Sequence, residues 1–398
     1  MIIPSAHRLQ QVQEYYFSRK LAEVRALNAA GKNIINLGIG DPDMAPSEET
    51  IRSLMETAAT TGVHGYQPYT SIPALREAMA HWYQTTYHVA LDPEKEVLPL
   101  MGSKEGIFHL SMAFLNPGDK VLLPNPGYPA YAAAAKLVGA TPVYYTLSEE
   151  NHWQPDVAEL ETLLSEGGVK VMWINYPHMP TGAEASRAVL EQLVQLALTH
   201  KFLLVNDNPY SLVLPQEAPL SLLSLPSAQE CCLELNSLSK SHNMSGWRVG
   251  MVLGAADYLQ CILRVKSNLD SGMFLPLQKA AIKALQNSAD WHTQRNQVYA
   301  QRKEKVHQLL DLLGCRYNPT AVGMFVWAQV PRRVTDVEAY LDEFLYQAGV
   351  FLTPGKIFGT QGDRYLRVSL CLPVSTIEEA TKRISLHLTA TAELTHEN

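Results

Sequence analysis

Short apolar runs closed off by turn residues recur through the first two thirds of the chain, and they limit the fold more than any other feature. Residues 121–123, 143–145, 169–174, 202–205 and 231–235 are each too short for a buried helix. Several stretches between them have helical spacing, and residues 186–200, with leucines at 190, 193 and 196, are the clearest. Strands that are apolar throughout are buried on both faces, so the repeat reads as β-α-β and the sheet as mostly parallel. Sites in such sheets lie beyond the carboxyl ends of the strands. Residues 175–182, 207–210 and 237–240 each follow a predicted strand directly.

At 398 residues the chain exceeds what one core usually holds, so a large unit with a smaller one is expected. A polar, helix-forming stretch at 287–301 leads out of the first unit. Beyond it, residues 323–327, 350–353 and 365–369 read as strands and 336–349 as a helix, giving a smaller α+β unit. The expected division is a large unit at 46–285, a small one at 286–398, and an arm at 1–45 that joins the small unit. Within the large unit, Leu75, Met79 and Trp82 recur at i, i+4 and i+7 behind Pro73, predicting an amphipathic helix with Ser71 as its cap.

A formal charge of −7 with no block of like charges argues against a nucleic-acid or anionic-membrane surface. Residues 1–10 lack the apolar run of a secretory signal or a membrane span. Five cysteines, with Cys231 and Cys232 adjacent and no C-x-x-C pair, suit a reducing compartment, so a cytoplasmic location is expected. Thirteen histidines without H-E-x-x-H spacing give no support for a catalytic metal.

The segment from Ser237 to Gly250 gathers Lys240, several hydroxyls and Arg248. A lysine can capture an aldehyde covalently, and an arginine eight residues on can grip a phosphate with its planar fork. Gly102-Ser103-Lys104-Glu105-Gly106 precedes the apolar stretch 107–114, where it is either an ordinary capped helix start or a set of amides cradling a phosphate. Asp207 ends a predicted strand as a turn former or as a functional carboxylate, with Tyr210 three residues on. Tyr128, within Pro126-Gly127-Tyr128-Pro129, is either a core plug or a platform for a flat heterocycle.

In this order the motifs resemble the class I/II aminotransferases, fold type I enzymes of pyridoxal 5′-phosphate (PLP), over nearly the whole chain. The resemblance implies that Lys240 carries the cofactor covalently. It implies that Gly102, Ser103, Lys104, Ser237 and Arg248 hold its phosphate, that Asp207 pairs with the pyridine nitrogen, that Tyr210 donates to the 3′-oxygen, and that Tyr128 stacks on the ring. Arg367, in 365–369, is then the clamp for the substrate α-carboxylate, and Gly38, in 37–43, belongs to the opposing wall. Tyr66 would reach the phosphate of a neighbouring subunit and residues 266–272 would lie near the interface, so a homodimer with shared sites is implied.

Two positions depart from the pattern. Met179 stands where the N-P-T-G motif has asparagine, and a thioether donates nothing. Asn175 and His178 are the nearby candidates to compensate, and a cofactor imine less acidic than usual is expected. Ser71 replaces a glycine often found five residues after the tyrosine at 66.

The activity implied is transfer of an amino group from an L-amino acid to a 2-oxo acid. Several segments are similar to LL-diaminopimelate, alanine and methionine aminotransferases, so LL-diaminopimelate or a neutral amino acid is the expected donor. No arginine at 266–276 takes the role of a distal-carboxylate clamp, which argues against strict aspartate specificity. PLP β-lyases that split carbon–sulfur bonds use the same lysine, aspartate and arginine and are the alternative. The ligand-sensing domain of PLP-dependent regulators needs an attached DNA-binding module, and none is expected because the resemblance begins so near residue 1.

Overall fold

The computed structural model describes residues 2–12, 14 and 16–396. Met1, Gln13, Tyr15, Glu397 and Asn398, which the expected arm and small unit include, lie outside the described residues.

A seven-stranded sheet organises the first two thirds of the chain. Its spatial order is Val97–Leu100, Gly250–Gly254, Cys232–Ser237, Leu203–Asp207, Val169–Ile174, Lys120–Asn125 and Thr141–Thr146. All pairings are parallel except the two made by Gly250–Gly254, which runs against both neighbours. Alternate side chains feed two cores. Val171, Trp173, Leu203 and Val205 enter one with Ile107 and Leu110, while Met172, Ile174 and Leu204 enter the other with Leu190 and Leu193. Burial on both faces is why these strands carry no polar alternation.

Sequence patterning missed Val97–Leu100 and Gly250–Gly254. The predicted cap also moves. The helix Pro73–Tyr87 starts after Ile72, which caps it with extended backbone and no side-chain bond, whereas Ser71 sits at φ +64. Its N–H donates to Pro68 O at 2.8 Å in the turn before the helix. That left-handed conformation favours glycine, which accounts for the glycine at this position in the related pattern.

The long helix Ala289–Leu312 carries the chain to a four-stranded antiparallel sheet ordered Thr353–Pro354, Tyr365–Ser369, Phe325–Gln329, Arg316–Tyr317. The helix expected over 336–349 is Val337–Glu343, extended by a π-helical turn at Phe344–Ala348 and closed by Gly349. Ile35–Asn36 pairs in parallel with Val350–Phe351. Leu37 N–H then donates to Phe351 O and Ser369 N–H donates to Leu37 O, at 2.9 and 2.7 Å. Phe17, Ile35 and Leu37 share a hydrophobic core with Val326, Leu366 and Val368. Among the described residues no helix is long and apolar enough to cross a membrane.

Candidate active site

The parallel strands all point their carboxyl ends at one side of the large sheet, and the polar segments found in the sequence leave from there. Asp207 and Ser237 are the last residues of their strands, Asn175 follows Val169–Ile174, and Gly102 lies two residues beyond Val97–Leu100. With Tyr128 they surround a cavity of about 510 Å³, closed on its other side by Ile39, Gly40, Phe325, Phe358 and Arg367.

Lys240 lies in the short helix Leu238–Ser241 that follows its strand, and its Nζ donates to Gly40 O at 2.6 Å. Burial holds its pKa below the usual lysine value; Cys371 and Asp41 oppose this, and Arg367 and Arg248 add to it. Ser237 Oγ accepts from Ser239 N–H and donates to Ser239 Oγ at 2.9 Å, fixing the turn that carries the lysine.

The helix Ser103–Phe114 begins at Gly102, whose φ is +87. The side chain of Arg248 lies where a Cβ on Gly102 would be, so only glycine admits the guanidinium to the helix start. Gly250 has the matching constraint, because a Cβ there would press on Ser103 N at 2.7 Å. Glu105 reaches back to accept from Met101 N–H at 2.6 Å, and Ser103 and Lys104, in the first turn, line the cavity. Burial and the Arg248 charge together lower the Lys104 pKa.

Asp207 is buried with Oδ2 accepting from Tyr131 OH at 2.9 Å, and among the described residues Oδ1 has no partner. Burial pushes its pKa up to about 7; the Tyr131 hydrogen bond works against this and the Glu234 charge adds to it. Glu234, one strand over, accepts from Tyr83 OH, Asn206 Nδ2, Asn208 Nδ2 and Leu222 N–H. Tyr131, itself stacked on Trp173 with centroids 4.8 Å apart, and Glu234 were both missed in the sequence. Tyr131 follows Tyr128 by three residues at the start of the helix Pro129–Leu137, and that spacing was the available signal.

Across the cavity, Arg367 is buried under aromatic rings, its Cζ 3.9 Å from the Phe325 centroid, 4.7 Å from Phe358 and 5.3 Å from Phe17. Nη2 donates to Gly38 O at 2.7 Å and Nη1 lies 3.3 Å from Met179 Sδ. The wall here is Ile39 and Gly40. Gly38 stands behind it, its N–H donating to Asn36 Oδ1 at 3.0 Å, so that amide does not face the cavity as expected.

The two side chains expected to compensate for Met179 make other hydrogen bonds. Asn175 Nδ2 donates to Asp207 O while its Oδ1 accepts from Met179 N–H. His178 Nδ1 bonds Thr181 Oγ1 at 2.8 Å, and burial lowers its pKa to about 3. The Asn175 amide is thus spent on backbone groups, and His178 is not among the residues that line the cavity.

Tyr66 is 92% exposed and does not line the cavity of its own chain. Its loop packs against the 266–272 segment, since a Cβ on Gly272 would strike the carbonyls of Gln67 and Pro68. One acidic and histidine cluster, Glu105, His109 and Asp270, brings its ligand atoms within 4.8 Å, but Lys266 Nζ already pairs with Asp270 there.

A mixed seven-stranded sheet with a smaller antiparallel one is the architecture of the fold type I PLP transferases. The family model "Aminotransferase class I and II" matches residues 32–384, and the chain belongs to that family of PLP-dependent, amino-group-transferring enzymes. It is 38% identical to the LL-diaminopimelate aminotransferase of Dehalococcoides mccartyi over 95% of this chain and 97% of the relative. The solved apo-BacF structure from Bacillus subtilis superposes with a TM-score of 0.92 at 32% identity, covering 97% of this chain and 98% of that one. A probable N-succinyldiaminopimelate aminotransferase from Thermus thermophilus does so at 0.84 and 34%, covering 92% and 99%.

Proposed function

We propose that this cavity holds PLP on Lys240 and moves the amino group of an L-amino acid to a 2-oxo acid. The observation that carries the reading is Asp207 Oδ1, a buried carboxylate oxygen without a donor among the described residues, on the cavity that Lys240 also lines. Buried acceptors are rarely left unpaired, and a protonated ring nitrogen is the donor this one fits. The cradle fits the rest of the group. The amides of Ser103 and Lys104, with Ser237 and Arg248, would take the phosphate, Tyr128 the ring face and Tyr210 the ring hydroxyl.

When bound, PLP supplies a ring that accepts the electron pair left at the α-carbon. Asp207 keeps that ring protonated. Lys240 Nζ, set free when the amine of the substrate takes its place on the cofactor and with a pKa lowered by burial, would remove the α proton and return it one atom away. Arg367 holds the α-carboxylate; its Nη1 rests on a sulfur, an acceptor too weak to compete with a carboxylate oxygen. Exposed Tyr66 would serve the phosphate of a second copy, so the working unit is a two-fold dimer.

Borohydride reduction of the yellow holoprotein should fix the cofactor on Lys240, as read by peptide mass. An L-amino acid alone should then convert the chromophore to its aminated form. Accumulation of pyruvate and ammonia instead would replace this reading with the carbon–sulfur β-lyase.

A further inference from the structure

Glu234 is fully buried in the strand Cys232–Ser237, opposite Asn206 on the strand that ends at Asp207. Donors reach both of its oxygens. Oε1 accepts from Tyr83 OH at 2.9 Å and Asn208 Nδ2 at 3.4 Å, and Oε2 from Leu222 N–H at 2.9 Å and Asn206 Nδ2 at 3.1 Å. Burial raises the Glu234 pKa, but these donors oppose the rise and suit the ionised form. Several ties end beside residues of the proposed site. Asn206 and Asn208 flank Asp207, and Asn206 Oδ1 accepts from Tyr176 N–H at 3.0 Å, next to Asn175. Tyr83 OH accepts from Asn236 Nδ2 at 3.0 Å, and Asn236 Oδ1 accepts from Ser237 N–H at 2.8 Å. Tyr83, Asn206, Asn208 and Asn236 are buried like Glu234, and none of them lines the cavity.

We propose that Glu234 is a positioning residue of the cofactor site, holding Asp207 in register through Asn206 and Asn208 and adding a second negative charge near it, so that the ring nitrogen keeps its proton. This rests on the PLP reading above. A carboxylate sealed in a core gives up its water, and for stability alone a well-packed apolar side chain serves as well. Placing it near a second carboxylate adds repulsion: burial raises the Asp207 pKa and the Glu234 charge adds to it. A cation arriving at Asp207 Oδ1 relieves that repulsion, so an arrangement unfavourable to the empty fold favours the protonated ring. The bonds to Asn206 and Asn208 supply the second requirement, since a catalytic group acts only when its supports fix its place.

The test compares the wild type, Glu234→Gln and Tyr83→Phe as holoproteins reconstituted with PLP carrying a nitrogen-15 label in its ring. In the wild type the nitrogen resonance should be that of a protonated ring. Glu234→Gln keeps the shape and removes the charge, so its resonance should move toward that of the neutral ring. Its kcat should fall ~10–100-fold, with KM for the amino donor within ~2-fold of the wild type, because Arg367 is untouched. Tyr83→Phe deletes one donor to Glu234 and should lower kcat about 5-fold, which keeps the proposal testable if the glutamine variant does not fold. A lower urea midpoint with kcat and the ring resonance at their wild-type values is what a merely structural glutamate would give, and it overturns the proposal while leaving the PLP reading intact. A neutral ring nitrogen in the wild type, or a Lys240 that takes up no cofactor, overturns the reading beneath it and this proposal too.

Discussion

Asp207 and Arg367 face one cavity from opposite sides, and their surroundings differ in kind. Asp207 lies in a hydrogen-bonded lattice: Tyr131 donates to it, Asn175 holds its backbone carbonyl, and Glu234 beside it takes four donors of its own. Arg367 lies among three aromatic rings and a thioether, and donates to the backbone carbonyl of Gly38. In a buried polar lattice each group depends on the others, so one deletion leaves several partners unpaired. A wall held by packing tolerates exchange of shape more readily. The reaction should therefore be vulnerable on the Asp207 side, and the choice of substrate adjustable on the Arg367 side.

Lys240→Ala should give the largest effect, lowering the turnover of the reconstituted protein by ~10⁴-fold or more. The same variant should lose the reducible covalent attachment while keeping its far-ultraviolet circular dichroism. Retention of turnover would break the contrast at its root, because the other lysine described on the cavity, Lys104, sits with Arg248 at the start of the helix Ser103–Phe114.

Asp207→Asn should cost ~10²–10³-fold in kcat, since the amide cannot hold a positive ring nitrogen. It also makes a prediction about stability. Burial raises the native pKa of Asp207 to about 7 from the ordinary 3.8. Between those values the native state keeps a proton that the unfolded chain has lost, so this group makes stability fall as pH rises and has no further effect above about 7. Urea unfolding of the cofactor-free proteins should therefore show the variant gaining on the wild type across that window. The gain should be up to ~1.4 kcal/mol for each pH unit. Parallel curves would mean that the carboxylate is not desolvated.

How much of this was legible in the sequence follows the same division. The polar segments at strand ends are local: Asp207-to-Tyr210 and Ser237-to-Lys240 each follow a predicted strand, and Gly102-to-Gly106 stands out as a short motif before an apolar helix even though the strand ahead of it was missed. The Arg367 wall is assembled from residues 17, 21, 39, 325 and 358, which no spacing rule connects. Glu234 is hidden for another reason. It lies inside an apolar run, and only the register Asn206↔Glu234 brings it to the network beside Asp207. Gly250–Gly254 was missed because its apolar residues read as the tail of the Lys240 motif, and Ser71 because its conformation depends on a turn that composition does not reveal.

Gly102→Ala probes the phosphate side with a smaller expected effect. The methyl group would occupy the space of the Arg248 guanidinium at a φ of +87, so the helix start and the arginine cannot both keep their places. Cofactor affinity should fall ~10–100-fold, read by equilibrium dialysis, with the circular dichroism unchanged. An unaltered affinity would show that Arg248 is not seated against this helix start.

Met179→Asn is the gentlest change and the one that tests the packed wall most directly. An asparagine here would replace the sulfur beside Arg367 Nη1 with an amide able to donate to a carboxylate or to the ring oxygen. Asn175 and His178 are engaged by Asp207 O and Thr181, so neither already does this work and the new donor should register. KM for the amino donor should fall by up to ~10-fold, because a hydrogen bond to a charged group is made where none existed. The pH at which the holoenzyme's visible absorbance changes should move down as the ring oxygen gains a donor. Since the wall around Arg367 is built mainly of packed rings, kcat should move little. A large fall in kcat would mean that the thioether side is as tightly coupled to the chemistry as the Asp207 side, and the contrast between the two would fail.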